Sequence, residues 1–477
     1  MPPDATDPAG APHEPVPAEV LIDGAVVVTM NDRREVLAHG AVALSGDRIV
    51  AVGEAHDVRR RVRAREVVDG RPFVVTPGLV NAHIHVTGEP LTRGYVPDDT
   101  PFEENVFAWL CPLYAAHHEE DERISAQLAA AEMLLSGTTT FLEAGTVHYL
   151  DAVVDGLREI GIRGRVGRWV WDLPPEPEVY RQTTKEAVGY LEDELDRYGT
   201  QDVRVAAWPM VVGHTTCSDE LWTAAAGLAR EHGTGLNFHM SPAPLDPEGF
   251  LADYGERPIV HLDRLSVLGD RATLAHAVHI DDEEIEILAR RGTSVAHCPT
   301  TALKVAYGVT QIGKIPEMLA RGVNVAIGTD GNNASNYSDM YRATYLVAGL
   351  FKDARRDPTQ IPAELAFEMA TLHGARALGL ADEVGSLEVG KRADLVLHDR
   401  RRPEWTPLHN VANQLVYSAD GRGVHTVYVD GRKVVDAYRL TTVDAPALYE
   451  RAQIAGEGVV ARCGLPDRRR WRPVGAP

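Results

Sequence analysis

The sequence predicts an α/β fold: a (β/α)8 TIM-type barrel with a small composite β-sandwich domain drawn from both chain ends. Three observations carry this. Eight short apolar runs alternate with helix-like stretches between residues 74 and about 380, the pattern of parallel β/α units. Short strands punctuated by turn residues precede this region and return after it. The first apolar run ends in His83 and His85, and residues at i and i+2 of a strand share one face.

In chain order, residues 1–17 are rich in proline, alanine and acid, and read as a disordered leader. They lack the basic-then-apolar order of a signal peptide. Residues 18–72 form the first part of the β domain. Its strands are Val20-Leu21-Ile22, Ala25-Val26-Val27-Val28-Thr29-Met30, Gly40-Ala41-Val42-Ala43-Leu44 and Arg48-Ile49-Val50-Ala51-Val52-Gly53, with turns at Asp23-Gly24 and Ser45-Gly46-Asp47. Residues 73–382 form the barrel, with strands at 74–86, 138–142, 165–171, 203–212, 235–239, 272–278, 294–297 and 324–329. Helices are expected at 124–135, 220–232, 282–291 and 315–321. An open doubly wound sheet would want a glycine-rich phosphate loop after its first strand, and the sequence has none. Residues 383–440 complete the β domain, with strands at 385–391, 393–397, 424–429 and 433–435. Residues 441–477 are a helical, then irregular, tail.

Composition narrows the partners. The chain has 477 residues and a formal net charge of −21, which argues against nucleic acid or an anionic membrane as the main partner. No apolar run has membrane-spanning length. The four cysteines, Cys111, Cys217, Cys298 and Cys463, form no close pair, which fits a reducing cytoplasm. A small molecule is the expected partner.

Chemistry in a parallel barrel gathers at the C-terminal ends of its strands. Strand one ends in His83 and His85, strand five in His239, strand six carries His276, and Asp330 follows strand eight. Each alone reads as a buried histidine or a capping aspartate; together they suit one divalent ion with a position left for water. His276 could orient that water, and Asp330 could accept its proton and pass it to a leaving group. Zinc is the first choice because it needs no redox chemistry; Fe2+ or Mn2+ would also fit.

Thr76-Pro77-Gly78-Leu79-Val80-Asn81-Ala82-His83-Ile84-His85 resembles the opening motif of the amidohydrolase superfamily. Ser136-Gly137-Thr138-Thr139-Thr140, Ala275-His276-Ala277-Val278-His279, His297-Cys298-Pro299, Ile327-Gly328-Thr329-Asp330-Gly331 and Gly385-Ser386-Leu387-Glu388-Val389-Gly390-Lys391-Arg392-Ala393-Asp394-Leu395 resemble it in the same order. The likeness is to the branch of cytosine-, guanine- and adenosine-type deaminases and triazine hydrolases. It implies metal ligation by His83, His85, His239 and Asp330, with His276 beside the water, and a homo-oligomer. The chain departs from that branch at three pocket walls. The place of the usual glutamate three residues after the strand-five histidine holds Pro242. The acid that methylthioadenosine-type deaminases carry after a Pro-hydrophobic pair is Tyr114 here. The stretch after strand seven reads Cys298-Pro299-Thr300-Thr301-Ala302-Leu303-Lys304.

Secondary substrate contacts are Tyr114, Glu143 as a replacement acid, Trp171 beside Trp169, His214 and Lys304. The expected function is metal-dependent hydrolytic deamination of a small nitrogen heterocycle or amidine, that is, hydrolysis of a non-peptide C–N bond. The alternatives are opening of a cyclic amide, displacement of a halide from a heteroaromatic ring, or metal and ligand binding without turnover.

Overall fold

The computed structural model of the chain describes residues 15–175, 180–199, 204–469 and 471. Strands are numbered in chain order. The N-terminal set is β1 (Val16–Val28), β2 (Val36–Ser45), β3 (Arg48–Glu54), β4 (Val62–Asp69) and β5 (Phe73–Pro77). The middle set is β6 (Leu79–Ile84), β7 (Thr138–Glu143), β8 (Arg163–Val166), β9 (Val205–Ala207), β10 (Met210–Gly213), β11 (Leu236–Met240), β12 (Ala272–His276), β13 (Ser294–His297) and β14 (Val325–Ile327). The last set is β15 (Leu395–Asp399), β16 (Val424–Val429), β17 (Arg432–Asp436) and β18 (Arg439–Leu440).

The two end sets share one nine-stranded sheet in the order β18-β17-β16-β15-β5-β1-β2-β3, with β4 beside β1. Its side chains alternate as a pleat requires. Val74 and Val396 join the large core, while Val75, Leu395 and Leu397 pack with Ile22, Leu44 and Tyr428 on the other face.

The middle set forms two parallel sheets, β6-β7-β8-β9 and β10-β11-β12-β13-β14. β9 runs into β10 through Trp208-Pro209, where the proline ring removes a ladder donor. At the other edge, the Asp330 N–H donates to the His83 carbonyl at 2.9 Å. The Asn81 side chain bridges the same gap: its amide donates to Thr329 Oγ1 at 2.7 Å and its oxygen accepts the Thr329 N–H at 3.1 Å. Every strand of these two sheets is buried on both faces, as expected when helices cover a parallel sheet. Gly78 separates β5 from β6 because a Cβ there would lie 2.0 Å from Thr139 Oγ1.

Several local expectations change. Val20–Ile22 and Ala25–Val28 are parts of one strand, β1, and Thr29-Met30 lie beyond its end. Gly24, at φ +84°, makes a bulge there rather than a hairpin turn. That strand starts at Val16, inside the span read as leader; residues 1–14 lie outside the described residues. Residues 385–391 form no strand, because Gly385 and Gly390 both adopt positive φ. They bond instead to Thr29, just past β1, and to β3, through Leu387 N to Thr29 O and Gly390 N to Ile49 O. The third barrel strand ends at Val166, well before Trp171. The C-terminal segment opens with the helix Ala445–Cys463; residues 470 and 472–477 lie outside the described residues. No helix among the described residues is long and apolar enough to cross a membrane.

Candidate active site

Because the strands run parallel, their C-terminal ends share one side of the sheets. His83 lies in β6 and His85 just beyond it; His239 lies in β11 and His276 ends β12. Asp330 follows β14 by three residues, at φ +63°, and His276 sits at φ +80°. These left-handed backbones turn both side chains into the cluster.

The five residues converge. The His83 and His239 ring centroids are 4.8 Å apart, His83 and His85 5.3 Å, and His85 and His239 5.4 Å. Asp330 Oδ1 is 3.1 Å from His85 Nε2 and 3.6 Å from His83 Nε2, and Oδ2 is 4.0 Å from His276 Nδ1. His239 Nδ1 donates to the Val212 carbonyl at 2.7 Å, which fixes its tautomer and leaves Nε2 as the free donor atom. The candidate ligand atoms of His83, His85 and His239 lie within 4.8 Å of one another.

These residues fit a divalent cation. Both ring nitrogens of His83 and Nδ1 of His85 are buried without a hydrogen-bond partner among the described residues. A buried imidazole nitrogen left unpaired is costly unless something else engages it. Electrostatics agree. Burial lowers His83 and lowers His239 well below the usual histidine range, where neighbouring imidazoles push it further, so both stay neutral as ligands. Burial pulls His276 to about 3. Burial also opposes charge on His85, but the hydrogen bond its Nε2 donates to Asp330 and the charges of Glu89, Asp330 and Glu143 outweigh it and lift His85 to about 9. Burial raises Asp330, yet His83 and His85 outweigh it and hold the carboxyl well below its ordinary range. A bound cation would relieve this crowd of donors and take the place of the proton on His85. Cys298 joins a second grouping with His83 and Asp330, and burial holds its thiol well above the usual range.

The expected substrate contacts fall in different places. Tyr114, in the short helix Cys111–Ala115, stands beside His85 with ring centroids 6.3 Å apart. His214 stacks on His239 at 5.5 Å and 25°. Glu143 is committed to its own turn: it accepts from Gly145 N at 2.5 Å and from Thr146 N and Oγ1 at 3.2 and 2.7 Å. Trp171 donates through Nε1 to the Tyr180 carbonyl at 3.1 Å and is buried. Trp169 packs edge-on against it with ring centroids 4.9 Å apart, beyond the end of the strand at Val166. It is Trp169 that touches Tyr114, at 5.4 Å. Lys304 Nζ bonds the Asn333 carbonyl at 2.5 Å and the Asn336 side chain, and so ties down the loop after β14.

Sequence reasoning missed Glu89, Phe102, Asp246 and Tyr307. Glu89 is buried and accepts Tyr114 Oη at 2.6 Å, Asn333 N at 2.5 Å and Ala334 N at 3.2 Å. A lone acid between Gly88 and Pro90, just after the histidine pair, was its signal. The Phe102 ring lies 5.7 Å from both His214 and Tyr307, and Tyr307 lies 5.6 Å from His276. Asp246 hydrogen-bonds His214 Nδ1 at 2.8 Å.

Parallel strands ending in a buried cluster of imidazoles and one carboxylate define a metal-dependent hydrolase. Residues 74–434 match the amidohydrolase family, and the chain belongs to it. It is 35% identical over 437 residues to a 5-methylthioadenosine/S-adenosylhomocysteine deaminase of Syntrophobacter fumaroxidans, covering 91% of this chain and 97% of the relative. It is 34% identical to a 5'-deoxyadenosine deaminase of Methanosarcina acetivorans, covering 93% and 99%. Among solved structures, an adenosine deaminase from Xanthomonas campestris with bound zinc superposes with a TM-score of 0.84 at 33% identity, covering 94% and 100%. A triazine hydrolase from Arthrobacter aurescens shares the fold, with a TM-score of 0.84 at 24% identity, covering 92% and 99%. The fold is of the TIM-barrel type.

Proposed function

We propose that this chain catalyses hydrolytic deamination of a small nitrogen heterocycle, with adenosine-type purines heading the list of substrates. The observation that carries this reading is the convergence of His83, His85, His239, His276 and Asp330, with buried unpartnered imidazole nitrogens, in an amidohydrolase chain. His83, His85, His239 and Asp330 would hold one divalent ion, zinc first. Such an ion supplies Lewis acidity and lowers the pKa of water from ~16 towards ~7.

The chain's own residues do the rest. His276 faces Asp330 and polarises the carbon under attack. Asp330 takes the proton of the attacking water and delivers it to the leaving nitrogen. Tyr114, Trp169, Phe102 and Tyr307 supply apolar walls for a flat ring, and His214 supplies a polar contact.

Domain reading follows. The two parallel sheets belong to one closed (β/α)8 barrel that starts after Gly78 rather than at residue 73 and runs to about residue 382; the Asn81–Thr329 bridge supports its closure. The flanking residues, 18–77 with Phe73–Pro77 between β1 and β15, and 383–440, form a composite β domain, supported by their shared sheet. Four free cysteines support a cytoplasmic setting.

Pro242 favours a second reading, in which the same site opens a cyclic amide or displaces a halide, since proline cannot protonate a ring nitrogen. Ammonia release by the zinc-loaded protein on aminopurines and their nucleosides, aminopyrimidines, pterins and aminotriazines decides. Ammonia from at least one of them is expected. Chloride release or ring opening without ammonia would replace deamination.

A further inference from the structure

Two loops flank His239, and one buried carboxylate holds them both. Asp246 lies in the first turn of the helix Leu245–Tyr254 and is fully buried. Its Oδ2 accepts from His214 Nδ1 at 2.8 Å and from Ser241 N–H at 2.6 Å. His214 follows β10 and Ser241 follows β11, so one oxygen ties the two loop starts together. Both residues sit in the left-handed region, His214 at φ +54° and Ser241 at φ +55°, conformations that need surrounding bonds to hold them. Those bonds are present. His214 N–H donates to the His239 carbonyl at 3.1 Å, and the Ser241 carbonyl accepts from Val278 and His279 at 3.0 and 2.9 Å.

We infer that Asp246 is the positioning residue for substrate recognition by His214, an inference that rests on the reading of this pocket given above. A carboxylate only accepts, so it keeps the hydrogen of His214 on Nδ1 and leaves Nε2 for a ligand. The ring cannot turn over without breaking that bond, and its stacking on His239 and edge contact with Phe102 fix its plane. Pro242, three residues after His239, has no hydrogen-bonding side chain. On this part of the rim, His214 Nε2 therefore meets the polar edge of the heterocycle.

The test uses zinc-loaded protein labelled with [15N]histidine. Long-range 1H–15N spectra, with His214 identified by its loss in His214→Gln, are expected to show hydrogen on Nδ1 in the parent. In Asp246→Ala that preference is lost, and in Asp246→Asn, whose amide oxygen still accepts, it is kept. With whichever heterocycle the ammonia panel yields, Asp246→Ala and His214→Ala are each expected to raise KM about tenfold while kcat stays within about threefold, the loss of one net hydrogen bond to substrate. The double variant is expected to be no worse than either, Asp246→Asn to recover most of the KM, and zinc content to stay unchanged. Hydrogen on Nε2 in the parent, an unchanged KM in Asp246→Ala, or zinc lost with Asp246 would each overturn the inference. If no panel compound is turned over, the reading of the site fails instead, and the spectra still decide the role of Asp246.

Discussion

Arg163 and Asp394 meet as a two-pronged ion pair, Nε to Oδ2 at 3.0 Å and Nη2 to Oδ1 at 3.1 Å, and neither side chain is more than 1% exposed. Arg163 opens β8, and Asp394 immediately precedes β15, so the pair fastens a barrel strand to the sheet built from the chain ends. Asp430 adds a third group, bonding Arg163 at 2.5 Å and donating its own N–H to Asp394 at 2.7 Å. Removing one partner leaves a buried charge uncompensated, which costs about 3–5 kcal/mol. Arg163→Ala should therefore lower the denaturant midpoint sharply. Arg163→Met together with Asp394→Leu should recover much of the loss, and the double-mutant cycle measures it. Full stability in Arg163→Ala would show that the pair does not join the two parts.

The proposed metal ligands make a separate prediction. His239→Ala should lose bound zinc and turnover together, because Nε2 is the one ring atom left free by the Val212 carbonyl. Val212 contributes only its backbone, so it cannot be probed by side-chain truncation. Chelation of the parent protein should abolish activity and lower thermal stability, and added zinc should restore both. Elemental analysis alongside rate measurement checks this; a variant with full zinc and full rate would remove His239 from the ligand set.

Glu89 joins the loop after β6 to the loop after Asp330. Gly331 shows how close they come: a Cβ there would lie 1.8 Å from Glu89 Oε1. Glu89→Ala strands the Tyr114 hydroxyl and two backbone N–H groups, each costing ~1–3 kcal/mol if left unpaired. We expect lower stability and a fall in kcat, since the Asp330 loop loses its tether. Glu89→Gln, which can still accept from Tyr114, should lose less of both. Equal stability and rate for Glu89→Ala would mean that water replaces the carboxylate at no cost.

What the sequence revealed, and what it hid, follows from the range of each interaction. His83, His85, His239, His276 and Asp330 were legible because apolar runs locate strand ends, and a parallel sheet puts those ends on one side. The partners of Glu89 and Asp246 come from loops 25 to 245 residues away or from a turn whose geometry depends on a positive φ, and no local pattern records such contacts. Trp171 was expected at a strand end by extending strand alternation five residues past Val166, where the strand stops; it is held instead by the Tyr180 carbonyl. β4 went unseen because Arg63, Arg65 and Glu66 interrupt its apolar residues; it is a half-exposed strand, paired through its backbone to β1. Residues 385–391 looked extended by composition, yet two glycines at positive φ made them a turn.

Acid should unfold this protein through its buried histidines, and His398 isolates the effect outside the candidate active site. Its Nε2 lies 3.1 Å from both Thr76 Oγ1 and Tyr341 Oη, and the ring is fully buried. Burial lowers it to about 3. The unfolded chain takes up this proton near pH 6.5, whereas the folded chain resists it until about 3. Because the folded value is depressed, the contribution is complete above pH ~6.5 and is lost as pH falls towards the folded value, at ~1.4 kcal/mol per pH unit. His398→Gln keeps an amide that can bond Thr76 and Tyr341 but cannot charge. It should be less stable than the parent at neutral pH. Its stability should then fall by roughly 3 kcal/mol less between pH 6.5 and 4.5, so the two urea midpoints converge with acid. Parallel pH profiles for parent and variant would show that His398 is protonated in the fold after all.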